Sequence, residues 1–268
     1  MNDINAASVL PYLQTKQFGH TLRCYTTIDS TNTEAKRRAI SGDPHGTVYV
    51  AEEQTQGKGR LGRQWVSPPG DGLWFTVLLR PNCFPSKAAG LTVVTGLAVC
   101  RAIRKLCNID AQIKWPNDIV HDGKKLCGIL LEMGTENGFV SFVAAGIGIN
   151  VNTSTFPDEI AYKASSLYIK TGEIISRGKL LAEILNELEA LTALYFEHGI
   201  ETILPEYRML CVTLGRNVSA LRHDGTLEGT AIDITDDGEL LVHTNDGRVE
   251  TIFTGEVSVQ GIYEEPQK

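Results

Sequence analysis

Residues 57–63 read G-K-G-R-L-G-R. Glycines let a backbone approach a ligand closely, and their N–H groups can cradle an anion. Lys58, Arg60 and Arg63 are interleaved with them and add the positive charge that a phosphate or carboxylate site requires. The run lacks the G-K-[ST] ending of a P-loop and the glycine spacing of a dinucleotide-binding turn. A solvated basic loop has the same composition, so seven residues alone do not choose. A second group lies at residues 114–118, K-W-P-N-D, followed by Lys124 and Lys125. Pro116 fixes the backbone beside Asn117 and Asp118, which could meet a metal-bound nucleotide or cap a tight turn. Lys125 leads into the apolar run L-C-G-I-L-L. A lysine at the mouth of a buried strand either holds its ammonium over a pocket or snorkels to solvent.

The elements that must hold these groups can be read from periodicity. Thr31 and Glu34 have capping-box spacing and predict a helix over 31–41, with Gly42 closing it. Residues 47–52 and 73–80 read as strands, and 86–107 as a helix. Three short β-branched runs follow at 111–115, 118–121 and 126–132, with Asp122-Gly123 as a hairpin turn. Residues 139–151 predict a buried strand, 179–198 an amphipathic helix carrying Leu180, Ile184, Leu188, Leu191 and Leu194 on one face, and 200–209 a second short helix. After Cys211 short alternating strands are broken by Asp224-Gly225, Asp237-Gly238 and Asp246-Gly247, the pattern of a small β-barrel. The expected division is 1–212 and 213–268: an α+β unit with a mixed, largely antiparallel sheet and flanking helices, then an all-β unit.

Composition narrows the function. A formal charge of −7 argues against a chain-wide nucleic-acid surface. The six cysteines form no C-x-x-C pair and no histidines have zincin spacing, so a metal cluster is not expected; free thiols in apolar runs suit a reducing cytoplasm. The opening residues lack a signal-peptide pattern. The longest apolar stretch, 91–100, is about half of the roughly 20 residues needed to span a bilayer and reads as a buried helix.

Taken together, the segments resemble the catalytic domain of biotin–protein ligases. The stretches that carry the resemblance are D-S-T-N at 29–32, A-E-E-Q-T-Q-G-K-G-R-L-G-R-Q-W at 51–65, S-P-P-G at 67–70, K-W-P-N-D at 114–118, K-L-C-G-I-L-L-E at 125–132 and G-I-G-I-N-V-N at 146–152. Their order and spacing match as well, from about residue 10 to the C-terminus. The resemblance implies a class II synthetase-like catalytic domain with a small SH3-like C-terminal domain. It also implies an enzyme that activates biotin with ATP and Mg2+ as biotinyl-AMP, then transfers biotin to a lysine of a carrier protein.

The same resemblance implies roles for single residues. Ser30, Thr31 and Asn32 resemble the segment that hydrogen-bonds the ureido ring of biotin, and Gln54 falls where the family contacts biotin. Lys58, Gly59 and Arg60 match the loop over the biotin tail and adenylate phosphate; Lys58 stands where arginine is frequent, which keeps charge but loses bidentate geometry. Trp65 matches the aromatic wall between biotin tail and adenine. Lys125 matches the lysine on the biotin carboxylate and adenylate, which makes Lys125 and Arg60 the catalytic candidates. Arg63, Lys114, Asn117 and Asn150 are implied on the ATP side, and Asp118 as a magnesium-side carboxylate. The implied partner is the biotin carboxyl carrier protein of acetyl-CoA carboxylase or a related carboxylase, with homodimerisation common in the family. Larger members carry a winged helix-turn-helix; fewer than 30 residues precede Asp29 here, so direct DNA contact is not expected, and Arg37-Arg38 reads as a solvated helix face. A lipoate–protein ligase and a non-enzymatic biotin sensor are the competing readings.

Overall fold

The computed structural model describes residues 4–222, 225–253 and 255–264. Seven strands form the first sheet: β1 (Leu22–Ile28), β2 (Val48–Gln54), β3 (Gly72–Leu79), β4 (Gln112–Lys114), β5 (Asp118–His121), β6 (Lys124–Glu136) and β7 (Phe139–Asn150). Their order is β1-β2-β3-β7-β6-β5-β4. Only the β1–β2 pair is parallel; every other neighbouring pair is antiparallel. The expected mixed, largely antiparallel sheet is therefore present.

Strand alternation sends two kinds of residue to the two faces. Leu73, Phe75, Val77 and Leu79 join a large apolar cluster with the helices Leu91–Cys107 and Arg177–His198. Burying each such side chain contributes about 1.5–3 kcal/mol. On the other face, Tyr49, Leu78 and Ala144 pack against Ala35 and Ala39 of the helix Thr31–Ile40. The sheet thus has a core on one face and, on the other, a short helix beside an open cleft.

Several elements differ from the sequence expectation for local reasons. The first helix begins one residue earlier than a Thr31 cap requires. Ser30 is the N-cap and its side chain accepts from Thr33, while Glu34 binds Arg37 and Arg38 instead of closing a capping box. Thr31 is drawn away because its backbone N–H and hydroxyl both reach Gln54. The predicted 86–107 helix breaks at Gly90 into Pro85–Ala89 and Leu91–Cys107. A Cβ at Gly90 would lie 2.4 Å from the Tyr195 hydroxyl. This helical stretch is apolar and long enough to cross a membrane, but it lies largely buried in the core. The 200–209 helix is a short 3-10 turn followed by Leu204–Leu210. Asp122 and Gly123 take φ of 47° and 69°, the paired left-handed conformations of a tight hairpin.

A second, antiparallel sheet has the order β11-β10-β9-β8-β12, from β8 (Asn217–Arg222), β9 (Gly225–Ile234), β10 (Leu240–Thr244), β11 (Val249–Ile252) and β12 (Glu256–Val259). Gly238 and Gly247 turn with φ of 81° and 87°, whereas Asp224 lies outside the described residues. This sheet is fastened to K-W-P-N-D. Trp115 N–H donates to the Thr213 hydroxyl and its indole N–H to the Gly238 carbonyl, both at 3.0 Å.

Candidate functional site

One cleft of ≈ 1300 Å³ runs between the sheet, the loop 57–66, the segment 153–164 and the second sheet, and all fourteen residues singled out from the sequence line it. One end is neutral. Ser30, Thr31 and Asn32 sit in the first turn of the Thr31–Ile40 helix and are buried. The Asn32 amide orientation is forced, because its Nδ2 faces two groups that can only accept: the Leu130 carbonyl at 3.2 Å and a Glu132 carboxylate oxygen at 2.9 Å. Its Oδ1 is met by the Thr76 hydroxyl at 2.6 Å. Gln54 is fixed in the same way: its Oε1 accepts from the Thr31 backbone N–H at 2.8 Å, and its Nε2 donates to Ser67 at 2.9 Å. Burial would push Glu132 up, but Lys36 and Asn32 outweigh it and hold the carboxyl below its ordinary value.

This wall is short of protons. Thr31–Gln54 at 3.1 Å, Thr76–Thr31 at 2.9 Å and Thr76–Asn32 at 2.6 Å are three oxygen–oxygen contacts, and the two threonine hydroxyls supply one proton each. Lone pairs on Thr31 and Asn32 are therefore in excess. The Ser30 hydroxyl accepts from Thr33 and still has its own proton to give, and Gln54 Nε2 has a second N–H. The wall offers two acceptors flanked by two donors.

The middle of the cleft is aromatic. Trp65 lies on a floor made by Gly128 and Gly148, which pair across β6 and β7. A Cβ on either would come within 2.8 Å of the indole, so only glycine leaves room for the ring. Trp74 meets it edge-on at 6.2 Å. The Trp65 indole N–H is buried and finds no hydrogen-bond acceptor among the described residues.

The other end is charged. The Lys125 ammonium stands 5.2 Å from the Trp65 ring centroid and 2.6 Å from an Asp118 oxygen. Its backbone is clamped by Lys163 and Ser165 of the following segment. The second Asp118 oxygen accepts from the Tyr263 hydroxyl at 2.9 Å. Lys114 is buried, donating to the Val257 carbonyl at 2.9 Å. The glycine–arginine loop is a small hairpin: Gly59 N–H donates to Arg63 O and Trp65 N–H to Gly57 O. Leu61 and Gly62 at its tip have φ of 55° and 75°. Arg60 leans across the cleft, donating to Asn117 Oδ1 and to the Gly255 carbonyl of the second sheet, both at 3.0 Å. Lys58 and Arg63 are exposed on the rim, and Asn150 is buried, donating to the Ser165 carbonyl at 3.1 Å.

Residues 24–150 match the biotin/lipoate A/B protein ligase family, and residues 213–260 match the biotin protein ligase C-terminal domain. The bifunctional ligase/repressor BirA of Bacillus subtilis is 37% identical over 249 residues, covering 92% of this chain and 76% of that protein. The chain belongs to the biotin protein ligase family. The biotin–[acetyl-CoA-carboxylase] ligase of Mycobacterium tuberculosis is 33% identical, with 85% of each chain covered. A solved biotin protein ligase from Aquifex aeolicus, in complex with biotin and ATP, superposes with a TM-score of 0.78 at 31% identity, covering 90% of this chain and 99% of that one.

Against this family background, the residues missed from sequence are informative. Trp74 and Thr76 share the cleft face of β3 with Gly72, a spacing of two that was available but attracts no notice inside an apolar strand. Glu132, Tyr263 and the segment 153–164 carried no local signal; each matters through a partner distant in sequence.

Proposed function

We propose that this chain activates biotin as biotinyl-AMP and transfers it to a carrier-protein lysine. The observation that carries the reading is the donor and acceptor order of the neutral wall. A cyclic urea has two N–H donors and one carbonyl that takes two hydrogen bonds, which complements two acceptors and two donors. The dithiolane of lipoate would leave those buried polar groups unpaired, at a cost of about 1–3 kcal/mol each. The ureido ring therefore belongs against Ser30, Thr31, Asn32 and Gln54, and the tail runs past Trp65 toward Lys125.

At that end a biotin carboxylate oxygen attacks the α-phosphorus of ATP and pyrophosphate leaves. Two anions must meet, and Lys125 and Arg60 offset their repulsion and the charge that spreads in the transition state. Arg63, Lys114, Asn117 and Asn150 belong to the nucleotide side, with Lys58 and Gly59 on the closing loop. Magnesium enters with the triphosphate. Asp118 does not fit a protein-built metal site, since Lys125 and Tyr263 engage both its oxygens and no group of three or more metal-ligating side chains stands among the described residues. In the second half-reaction the carrier lysine amine attacks the acyl carbon, the amide forms and AMP departs. The biotin carboxyl carrier protein of acetyl-CoA carboxylase is the proposed acceptor. We divide the chain at residue 212 into a catalytic and a C-terminal domain and assign it to the cytoplasm, where its six free thiols stay reduced.

The test supplies ATP, magnesium and an apo carrier domain with biotin or lipoate in parallel, and reads carrier mass. A biotin-sized gain with biotin alone is expected. A gain with lipoate instead moves the activity to the sister chemistry, and no gain with either leaves a biotin sensor.

A further inference from the structure

Tyr263 lies beyond the last strand, yet its hydroxyl reaches the centre of the cleft. Its backbone N–H donates to the Gly123 carbonyl at 3.1 Å, pinning the segment after β12 to the hairpin turn that leads into Lys124 and Lys125. Its φ is 64°, a left-handed conformation that a bulky side chain adopts only when its surroundings insist. The ring lies under the Lys114 ammonium at 5.2 Å, and Lys114 itself holds Val257 of β12. The hydroxyl donates to Asp118 Oδ2, while Asp118 Oδ1 holds Lys125. Burial first, then the neighbouring Asp118, keeps the phenol far above its ordinary value, so it stays a proton donor at working pH.

We propose that Tyr263 is a positioning residue for adenylation: it satisfies one oxygen of Asp118 so that the Lys125 ammonium remains available over Trp65. Asp118 is only 8% exposed, so an unheld oxygen there has little water to turn to. Without the hydroxyl it must recruit another donor, and the Lys125 ammonium, already 2.6 Å from the other oxygen of the same carboxylate, is at hand. The ammonium would then be drawn onto both carboxylate oxygens and away from the anions it must receive. Because Tyr263 follows β12, the charge arrangement at the reacting end depends on the second sheet being docked. This inference rests on the ligase reading.

The experiment is biotin-dependent ATP–pyrophosphate exchange by the full chain, comparing wild type with Tyr263→Phe. Phenylalanine keeps the ring against Lys114 and removes only the hydroxyl. We expect kcat to fall about 10–100-fold, the range for losing a hydrogen bond to a charged group that aligns a reacting cation, with the biotin KM within about twofold of wild type. In an Asp118→Ala background the same substitution should then have no further effect, since the oxygen it served is gone. A wild-type kcat in Tyr263→Phe, or an equal fall with and without Asp118, overturns the positioning role while exchange by wild type keeps the ligase reading. Absence of exchange in wild type itself overturns both.

Discussion

The two ends of the cleft are built on different plans. The neutral end is drawn from one turn of helix and adjoining strands, every amide orientation is dictated by a neighbour, and the groups are buried together. The charged end is assembled from four places: the 57–63 hairpin, K-W-P-N-D, the start of β6 and the residues after β12. Its cations are engaged by protein groups, Lys125 with Asp118 and Arg60 with Asn117 and Gly255. A rigid neutral pocket can select its ligand before any chemistry. In the proposed reaction, a charged end assembled from separate segments would exchange its internal partners for substrate anions and then shut water out from a hydrolysable anhydride. Selection is preformed; reaction requires assembly.

If the ends are separable in this way, damage at the charged end should cost rate more than recognition. Lys125→Ala should lower ATP–pyrophosphate exchange by about 100–1000-fold. Freeing the Asp118 oxygen should cost only about 1–3 kcal/mol of stability. Calorimetric titration with biotin alone decides it: an affinity loss as large as the rate loss would merge the two ends into one site. Arg60→Gly should have a smaller effect of a different kind. It removes the bonds to Asn117 and Gly255 that hold the loop against the second sheet, so preformed biotinyl-AMP should escape about tenfold faster. An escape rate equal to wild type, followed by stopped-flow trapping, would show that the hairpin is closed by something else.

The same division explains what could be read from the sequence. G-K-G-R-L-G-R and K-W-P-N-D advertise themselves because glycine, charge and proline are concentrated in contiguous segments, and the strands beside them follow from apolar runs. β1 was missed because an edge strand reading L-R-C-Y-T-T-I, half exposed and paired on one side only, has neither an apolar run nor clean alternation. Ser30 rather than Thr31 caps the first helix because Gln54 competes for Thr31, a tertiary contact that a spacing rule does not contain. Asp118 and Tyr263 are 145 residues apart and meet only through the docking of two sheets. The buried pair Arg177–Glu52, whose carboxylate lies two residues before Gln54 on β2, was equally invisible: each residue alone reads as surface.

The subtlest prediction lies at the neutral end and concerns a residue that no ligand need touch. Thr76 is fully buried, with its hydroxyl 2.6 Å from Asn32 Oδ1 and 2.9 Å from the Thr31 hydroxyl. Thr76→Val keeps the shape but puts a methyl where the hydroxyl was, and a carbon needs about 3.3–3.6 Å from a carbonyl oxygen. Asn32 must therefore move, yet Leu130 and Glu132 hold its other side and Gly146 leaves no slack behind it, since a Cβ there would lie 2.1 Å from Oδ1. The strain falls on the acceptor proposed to face the ureido ring. We expect the biotin KM to rise about tenfold and stability to fall by about 1–3 kcal/mol, the cost of an unpaired buried acceptor. The ATP KM should stay unchanged, because nothing at the charged end has been touched. A matching rise in the ATP KM would mean that the two ends are mechanically one, and an unchanged biotin KM would reduce the Thr76 hydroxyl to scaffolding.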